Sequence, residues 1–177
     1  MKRVDLSEWP CPVAKSLSRV GEWWNILILR DALYGLTRFD EFEKSLGIAP
    51  SMLTKRLSDL VATGLMNRVQ YSYKPPRYEY HLTDLGWSFR PVMLALIEWG
   101  NEHFSPEGRS VQLIERTSGS PVRMGLVDLQ TGRAINNEEY VVVPGPAADK
   151  IVQDRFAYIE AKRAAETHTD PPQEACG

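Results

Sequence analysis

One stretch decides the fold of this chain: IAPSMLTKRLSDLVATGLMNRVQYSYKPPRYEYHL, residues 48–82. Its first half predicts a helix, because Pro50 suits a first helical turn, leucines recur at helical spacing and Gly64 ends the run. Its second half predicts a hairpin, because bulky and polar residues alternate in two runs separated by Lys74-Pro75-Pro76. A helix followed by such a hairpin is typical of a DNA-reading helix with an adjacent wing.

Helical patterns flank this stretch on both sides. Apolar spacing predicts two helices in VAKSLSRVGEWWNILILRDALYG (13–35) and a short one in RFDEFEKSLG (38–47). Thr83 then opens a long helix over residues 83–104, which we expect Pro91 to kink or divide. The order of elements predicts an α+β fold, with a winged helix-turn-helix DNA-binding and dimerisation domain over residues 1–104.

The remaining residues differ in composition. Gly, Ser and Pro separate short β-like runs between residues 105 and 147, which predicts a small β-rich C-terminal extension. Residues 148–177 contain one helical pattern, followed by a polar segment that we expect to be a disordered tail.

Charge and hydropathy limit the class of protein. The formal net charge is −2, yet residues 50–82 carry five basic and two acidic side chains, which suits a site-specific reader of double-stranded DNA better than a general binder. No apolar run approaches the roughly 20 residues of a membrane helix, and the N-terminus does not resemble a secretory signal. We therefore expect a cytoplasmic protein with no membrane partner.

Two sets of residues are candidates for DNA contact. Arg and Lys pair with phosphates or guanine edges, and Ser and Thr can bond to either. On the predicted recognition helix the candidates are Ser51, Thr54, Lys55 and Arg56; on the wing they are Lys74 and Arg77. The long last helix is more apolar than one face of a small domain can bury, so we expect Leu94, Ile97 and Trp99 to form a dimer interface.

Over roughly residues 11–104 the chain resembles the HxlR-type winged helix-turn-helix transcription regulators. The resemblance rests on the Cys-Pro opening, the Trp-rich second helix, the segment RFDEF (38–42), the helix LTKRL (53–57) and the wing strand PRYEY (76–80). It implies a homodimer built from the first and last helices, which binds two half-sites near a promoter. Such regulators are commonly repressors and sometimes activators.

The resemblance also raises a role for Cys11, because the matching cysteine senses electrophiles or oxidants in some members of this family. Cys11 directly precedes a predicted helix, with Pro12 at its start and Lys15 one turn on, a setting that lowers the pKa of a thiol. The alternative is that Cys11 packs as a small apolar residue. The other cysteine, Cys176, belongs to the expected tail.

Metal, cofactor and catalytic sites are not expected. A subset of the family carries a two-knuckle zinc hairpin in its extension, but positions such as Ser118 and Asp128 carry no thiols here. Phosphate loops, nucleophile elbows and dinucleotide fingerprints do not occur, so we predict no enzyme. Two alternatives stay open: an adaptor that binds proteins rather than DNA, and a regulator with a small-molecule effector bound among Trp23, Trp24 and Trp99.

Overall fold

A computed structural model describes residues 5–167 of the chain. The elements follow the order expected for a winged helix-turn-helix domain with a C-terminal helix. They are α1 (Pro12–Val20), α2 (Trp23–Leu33), α3 (Phe39–Leu46), α4 (Pro50–Ala62), β1 (Met66–Tyr73), β2 (Pro76–Leu82), α5 (Asp84–Ser88), α6 (Arg90–Phe104) and α7 (Lys150–Thr167).

The chain forms two compact units. The first spans Ser16–Leu126, and the second combines residues 5–15 with residues 127–167. The first unit therefore extends past residue 104, where the sequence predicted the end of the DNA-binding domain, and includes half of the expected extension.

The hydrophobic core of the first unit is assembled around α2. Ile28 and Leu29 of α2 are fully buried together with Phe42 of α3 and the α4 leucines, Leu53, Leu57 and Leu60. Each such side chain contributes about 1.5–3 kcal/mol on burial. Gly47 allows the sharp turn between α3 and α4, because it adopts the left-handed conformation with φ of 59°. The opposite face of α4 is thereby turned to solvent.

The wing is an antiparallel hairpin whose register runs from Met66↔Leu82 to Tyr73↔Pro76, with an irregularity between Gln70 and Ser72. Its tip contains a cis peptide bond between Lys74 and Pro75. The start of α3 is tied to this hairpin, because Arg38 forms a β-bridge with Glu79 and the Tyr80 N–H donates to the Thr37 carbonyl oxygen at 2.7 Å.

The last helical segment is divided as the sequence predicted. Thr83 caps α5, accepting a hydrogen bond from the Gly86 N–H at 3.1 Å and donating one to the Gly64 carbonyl at 2.7 Å. The helix breaks after Ser88, and Pro91 occupies the first turn of α6, where its missing N–H is not needed.

The expected β-rich extension is reduced to short bridged loops, with no continuous strand between residues 105 and 147. In the first loop, closed by a bridge between Ile114 and Pro121, the Glu115 carboxylate accepts hydrogen bonds from the N–H groups of Thr117 and Ser118 at 2.8 and 2.7 Å. These bonds lower the pKa of Glu115 to about 2. The carboxylate adds to backbone hydrogen bonds that close the same loop, in which the Glu115 N–H donates to the Ser120 carbonyl at 2.9 Å and the Val122 N–H to the Leu113 carbonyl at 2.8 Å.

The segment before this loop is fastened to α6. Arg109 pairs with Glu98 through two hydrogen bonds of 2.7 and 2.6 Å, and the Asn101 side-chain amide donates to the Val111 carbonyl at 2.7 Å. The Arg109 guanidinium holds the pKa of Glu98 below its usual value. Residues 109–113 thus lie along α6 instead of extending into solvent.

The second unit contains a loop of the same form. The Asp128 carboxylate accepts from the Gln130 N–H at 2.9 Å and from the Thr131 hydroxyl at 2.7 Å, and a bridge between Val127 and Ala134 closes the loop. In both loops an acidic residue is followed by two further residues, then by a residue with a hydroxyl group and by a glycine. Helix α7 follows, and the expected tail with Cys176 lies outside the described residues.

Candidate nucleic-acid interface

The outer face of α4 carries hydroxyl groups and a cation. The leucines at positions 53, 57 and 60 are buried, which leaves Ser51, Thr54, Lys55 and Ser58 exposed along the opposite side. The Thr54 hydroxyl donates to the Pro50 carbonyl at 2.8 Å, so its lone pairs remain available to accept a hydrogen bond. Lys55 Nζ lies 3.7 Å from Asp59 Oδ2 in solvent, a weak pairing that a phosphate can replace.

Arg56 does not belong to this face, which corrects the prediction from the sequence. Its side chain is only 9% exposed, and its guanidinium pairs with Glu22 Oε2 at 2.7 Å and with Asp59 Oδ2 at 3.3 Å. A buried guanidinium held by two carboxylates is not available to DNA. Arg56 instead joins the recognition helix to Glu22, the residue that precedes α2.

The wing presents Lys74 and Arg77 at and beside its tip. Both side chains are exposed, and neither forms an ion pair within residues 5–167. Free cations of this kind are suited to phosphate contact. Five of the six residues predicted to contact DNA are therefore exposed on α4 and the wing: Ser51, Thr54, Lys55, Lys74 and Arg77.

Arg38 is a residue of this region that the sequence did not single out. Its guanidinium lies over the Tyr71 ring at 4.8 Å and pairs with Glu79 at 3.0 Å. The Glu41 carboxylate accepts hydrogen bonds from the Thr37 and Arg38 N–H groups, which lower the pKa of Glu41. Since Glu79 is 41 residues from Arg38, no local sequence signal indicates this connection between α3 and the wing.

The predicted dimer residues divide between two environments. Ile97 packs against the core of its own chain, and with Leu94 it lines a small cavity of about 140 Å³ facing residues 111–113. Trp99, by contrast, is 55% exposed and contacts Phe104 edge-on at 4.9 Å. The exposed apolar residues of α6 are Val92, Leu96, Trp99 and Phe104. The exposed residues thus extend the candidate dimer surface on both sides of Trp99, while Leu94 and Ile97 are half-buried in their own chain and stay candidates.

Cys11 lies immediately before α1 and is half-buried. The pKa of the Cys11 thiol is lowered mainly by a hydrogen bond from the Ala14 N–H, and further by the Val13 N–H and the Arg155 side chain. Burial of the sulfur opposes this effect without cancelling it. These groups stabilise the thiolate, which is the nucleophilic form.

Across residues 5–167, His, Cys, Asp and Glu side chains do not gather in threes as a metal ion would require. Among the same residues, helices long and apolar enough to cross a membrane do not occur.

Comparison with known proteins identifies relatives for most of the chain. The profile of the HxlR-like helix-turn-helix family matches residues 19–108. The uncharacterized HTH-type transcriptional regulator Rv3095 of Mycobacterium tuberculosis is 38% identical over 135 residues, which cover 76% of this chain and 85% of that protein.

Solved structures give the same result. PA1374 of Pseudomonas aeruginosa, described as a candidate transcription factor, is 54% identical with a TM-score of 0.61, over 82% of this chain and 99% of that one. The redox regulator HypR in its reduced form is 34% identical with a TM-score of 0.50, over 52% of this chain and 92% of that one.

Proposed function

Because this chain belongs to the HxlR-like helix-turn-helix family, we propose that it is a sequence-specific transcription regulator that binds operator DNA as a homodimer, in the simplest case as a repressor. One observation carries the proposal. The exposed face of α4 holds hydroxyls and a lysine, and the wing beside it holds cations that no carboxylate of the described chain neutralises. In this arrangement α4 enters the major groove and the wing contacts the neighbouring phosphates.

The DNA contacts are tested by equilibrium titration of the protein against its own upstream region over a range of salt concentrations, with a scrambled competitor. Each phosphate contact adds about 0.9 to the slope of log K against log salt. A homodimer that loses one contact per subunit, as in Lys74→Ala, then shows a slope shallower by about 1.8. Lys150→Ala, an exposed lysine of α7, is the matched control and leaves the slope unchanged.

The rival adaptor function gives a different outcome in the same titration. A protein-binding adaptor shows no preference for the native DNA over the scrambled competitor at any salt concentration. It also shows no difference between the Lys74→Ala and Lys150→Ala variants.

The homodimer is proposed to form through the exposed apolar face of α6. Trp99→Glu places a charge among Val92, Leu96 and Phe104, and we expect it to convert the dimer to monomers in sedimentation analysis. Val69→Glu introduces the same charge at an exposed apolar position of the wing and leaves the dimer intact. Equal sedimentation of both variants as dimers would exclude this face.

A redox response through Cys11 is a second proposal, favoured by the groups around its sulfur. The backbone N–H groups at the start of α1 and the Arg155 side chain lower the pKa of this thiol. We expect its alkylation rate to rise with pH through a midpoint below the ordinary thiol value. Treatment with diamide then changes operator affinity in the wild type and not in Cys11→Ser; the same response in both proteins would exclude Cys11 as the sensor.

A further inference from the structure

An open cleft of about 400 Å³ lies between the start of α3 and the wing. We call it the wing cleft. Its walls include four aromatic rings and two charged side chains: Phe39, Tyr71, Tyr78, Tyr80, Asp40 and Arg77. Sites for small ligands have this size, with aromatic walls and a few polar groups that fix orientation.

The aromatic walls of the wing cleft are held in place by the chain itself. Arg38 lies over Tyr71 and is fixed by Glu79, while Arg68 lies 4.2 Å from the centre of the Tyr78 ring. The backbone of Tyr80 is fixed by the hydrogen bond from its N–H to the Thr37 carbonyl, and its side chain packs against the core. Because these rings are ordered beforehand, a ligand that stacks on them loses little free energy to ordering them.

The charged groups of the wing cleft indicate the chemistry of the ligand. Asp40 and Arg77 line the same cleft, and neither forms an ion pair in the described part of the chain. The planar guanidinium of Arg77 matches a carboxylate, and the Asp40 carboxylate accepts a hydrogen bond from a hydroxyl group. An aromatic ring between these two groups would stack on the tyrosines.

From this combination we propose that the wing cleft binds a planar aromatic carboxylate that also carries a hydroxyl group. The same Arg77 is a proposed phosphate contact of the wing, so a ligand carboxylate and a DNA phosphate compete for one guanidinium. Occupation of the cleft therefore weakens operator binding. This second statement rests on the proposed function, whereas binding of the ligand does not.

Direct binding is measured first, without DNA, by calorimetry with 4-hydroxybenzoate as the probe. We expect a Kd on the order of 0.1 mM, in keeping with so small a ligand. Two matched compounds test the chemistry: trans-4-hydroxycyclohexanecarboxylate keeps the charge and the hydroxyl group and lacks the aromatic ring, and (4-hydroxybenzyl)trimethylammonium keeps the aromatic ring and the hydroxyl group and reverses the charge. Both bind at least about tenfold more weakly, because each loses one of the two interactions.

Variants of exposed residues then locate the site. Arg77→Gln weakens 4-hydroxybenzoate by about tenfold or more, and Lys74→Gln, a wing-tip cation outside the cleft lining, leaves its affinity unchanged. Asp40→Ala removes the preference for 4-hydroxybenzoate over benzoate. The proposal is overturned by absence of saturable binding, by equal effects of the Arg77 and Lys74 variants, or by tighter binding of the cation.

Operator DNA is added in the second measurement. In the wild type, saturating 4-hydroxybenzoate lowers DNA affinity; in Lys74→Gln, DNA binds more weakly but still responds to the ligand. If the protein binds 4-hydroxybenzoate but shows no preference for its operator DNA, the proposed function is overturned and the proposed ligand site is retained. If the protein binds operator DNA selectively but does not bind 4-hydroxybenzoate, the ligand site is overturned and the proposed function is retained. If the ligand binds without changing the affinity for DNA, the competition at Arg77 is refuted.

Discussion

The buried ion pair between Arg56 and Glu22 leads to a prediction about two substitutions with unequal costs. Glu22→Gln keeps the shape of the side chain but leaves the Arg56 cation, only 9% exposed, with Asp59 as its remaining anionic partner at 3.3 Å. Arg56→Met removes the cation itself and leaves Glu22, which is 25% exposed, in reach of water. We therefore expect Glu22→Gln to be the more destabilising change.

The size of the effect follows from the geometry. Charge centres about 4 Å apart interact by about 4 kcal/mol at an effective dielectric constant of about 20. Because Asp59 and a retained hydrogen bond offset part of this loss, Glu22→Gln lowers the free energy of unfolding by about 2–3 kcal/mol. Arg56→Met changes it by less than about 1 kcal/mol, since a methionine of similar volume needs no desolvated partner.

Urea unfolding followed by tryptophan fluorescence measures both variants and the double variant. When Glu22→Gln is added to Arg56→Met it costs little further, so the double variant is about as stable as Arg56→Met alone, which gives a coupling energy of about 2 kcal/mol. Lys55→Met is the matched control on the exposed side of α4. A coupling energy below about 0.5 kcal/mol, or a cost of Arg56→Met equal to that of Glu22→Gln, would refute the buried role of this pair. An Arg56→Met protein with a shallower salt dependence of DNA binding would restore Arg56 to the interface.

Three further predictions concern stability. The hydrogen bonds to the Glu115 carboxylate are complete above its ordinary pKa near 4.5 and are lost as the pH falls through about 2. We therefore expect the amide signals of its loop to shift in NMR with a midpoint near pH 2, and to show no such shift in Glu115→Gln. Gly86→Ala destabilises the first unit by about 1–3 kcal/mol in urea unfolding, because a Cβ would lie 2.2 Å from the Leu65 carbonyl oxygen. Gly100→Ala, whose Cβ would meet no atom within 4 Å, is the control and stabilises by about 0.5–1 kcal/mol. A Gly86→Ala protein as stable as the wild type would contradict the close contact. Leu57→Ala leaves a cavity in the core and lowers stability by about 2–5 kcal/mol in the same assay, and a loss below about 1 kcal/mol would be inconsistent with its full burial.

The order of elements could be predicted from the sequence because its signals are local. The leucine spacing of α4, the alternation in the wing and the position of Pro91 each act within one or two turns of chain, and the structure confirms the elements that they predicted. The exposed face of α4 follows from the same spacing.

The environment of Arg56 could not be predicted, because it depends on a contact between distant parts of the chain. Position 56 borders the buried stripe of α4, and what draws its side chain inward is Glu22, 34 positions earlier in the sequence. The environment of Ile97 could not be predicted for the same reason. Residues 111–113 line the cavity beside it, and the apolar pattern of α6 does not indicate which face of the helix this later segment contacts. The extension has a β-like composition, yet it forms short loops instead of strands, each closed by one backbone bridge and by a carboxylate that accepts hydrogen bonds from its own loop.

Those two carboxylate-capped loops have a consequence for the chemical selectivity of the protein. A turn organised by Glu115 or Asp128 contains no cysteine, so thiol-directed electrophiles have no thiolate to modify within it. The sequence holds only two cysteines, Cys11 and Cys176. Reagents specific for thiols can therefore modify the chain only near its two ends, and residues 105–147 offer them no target.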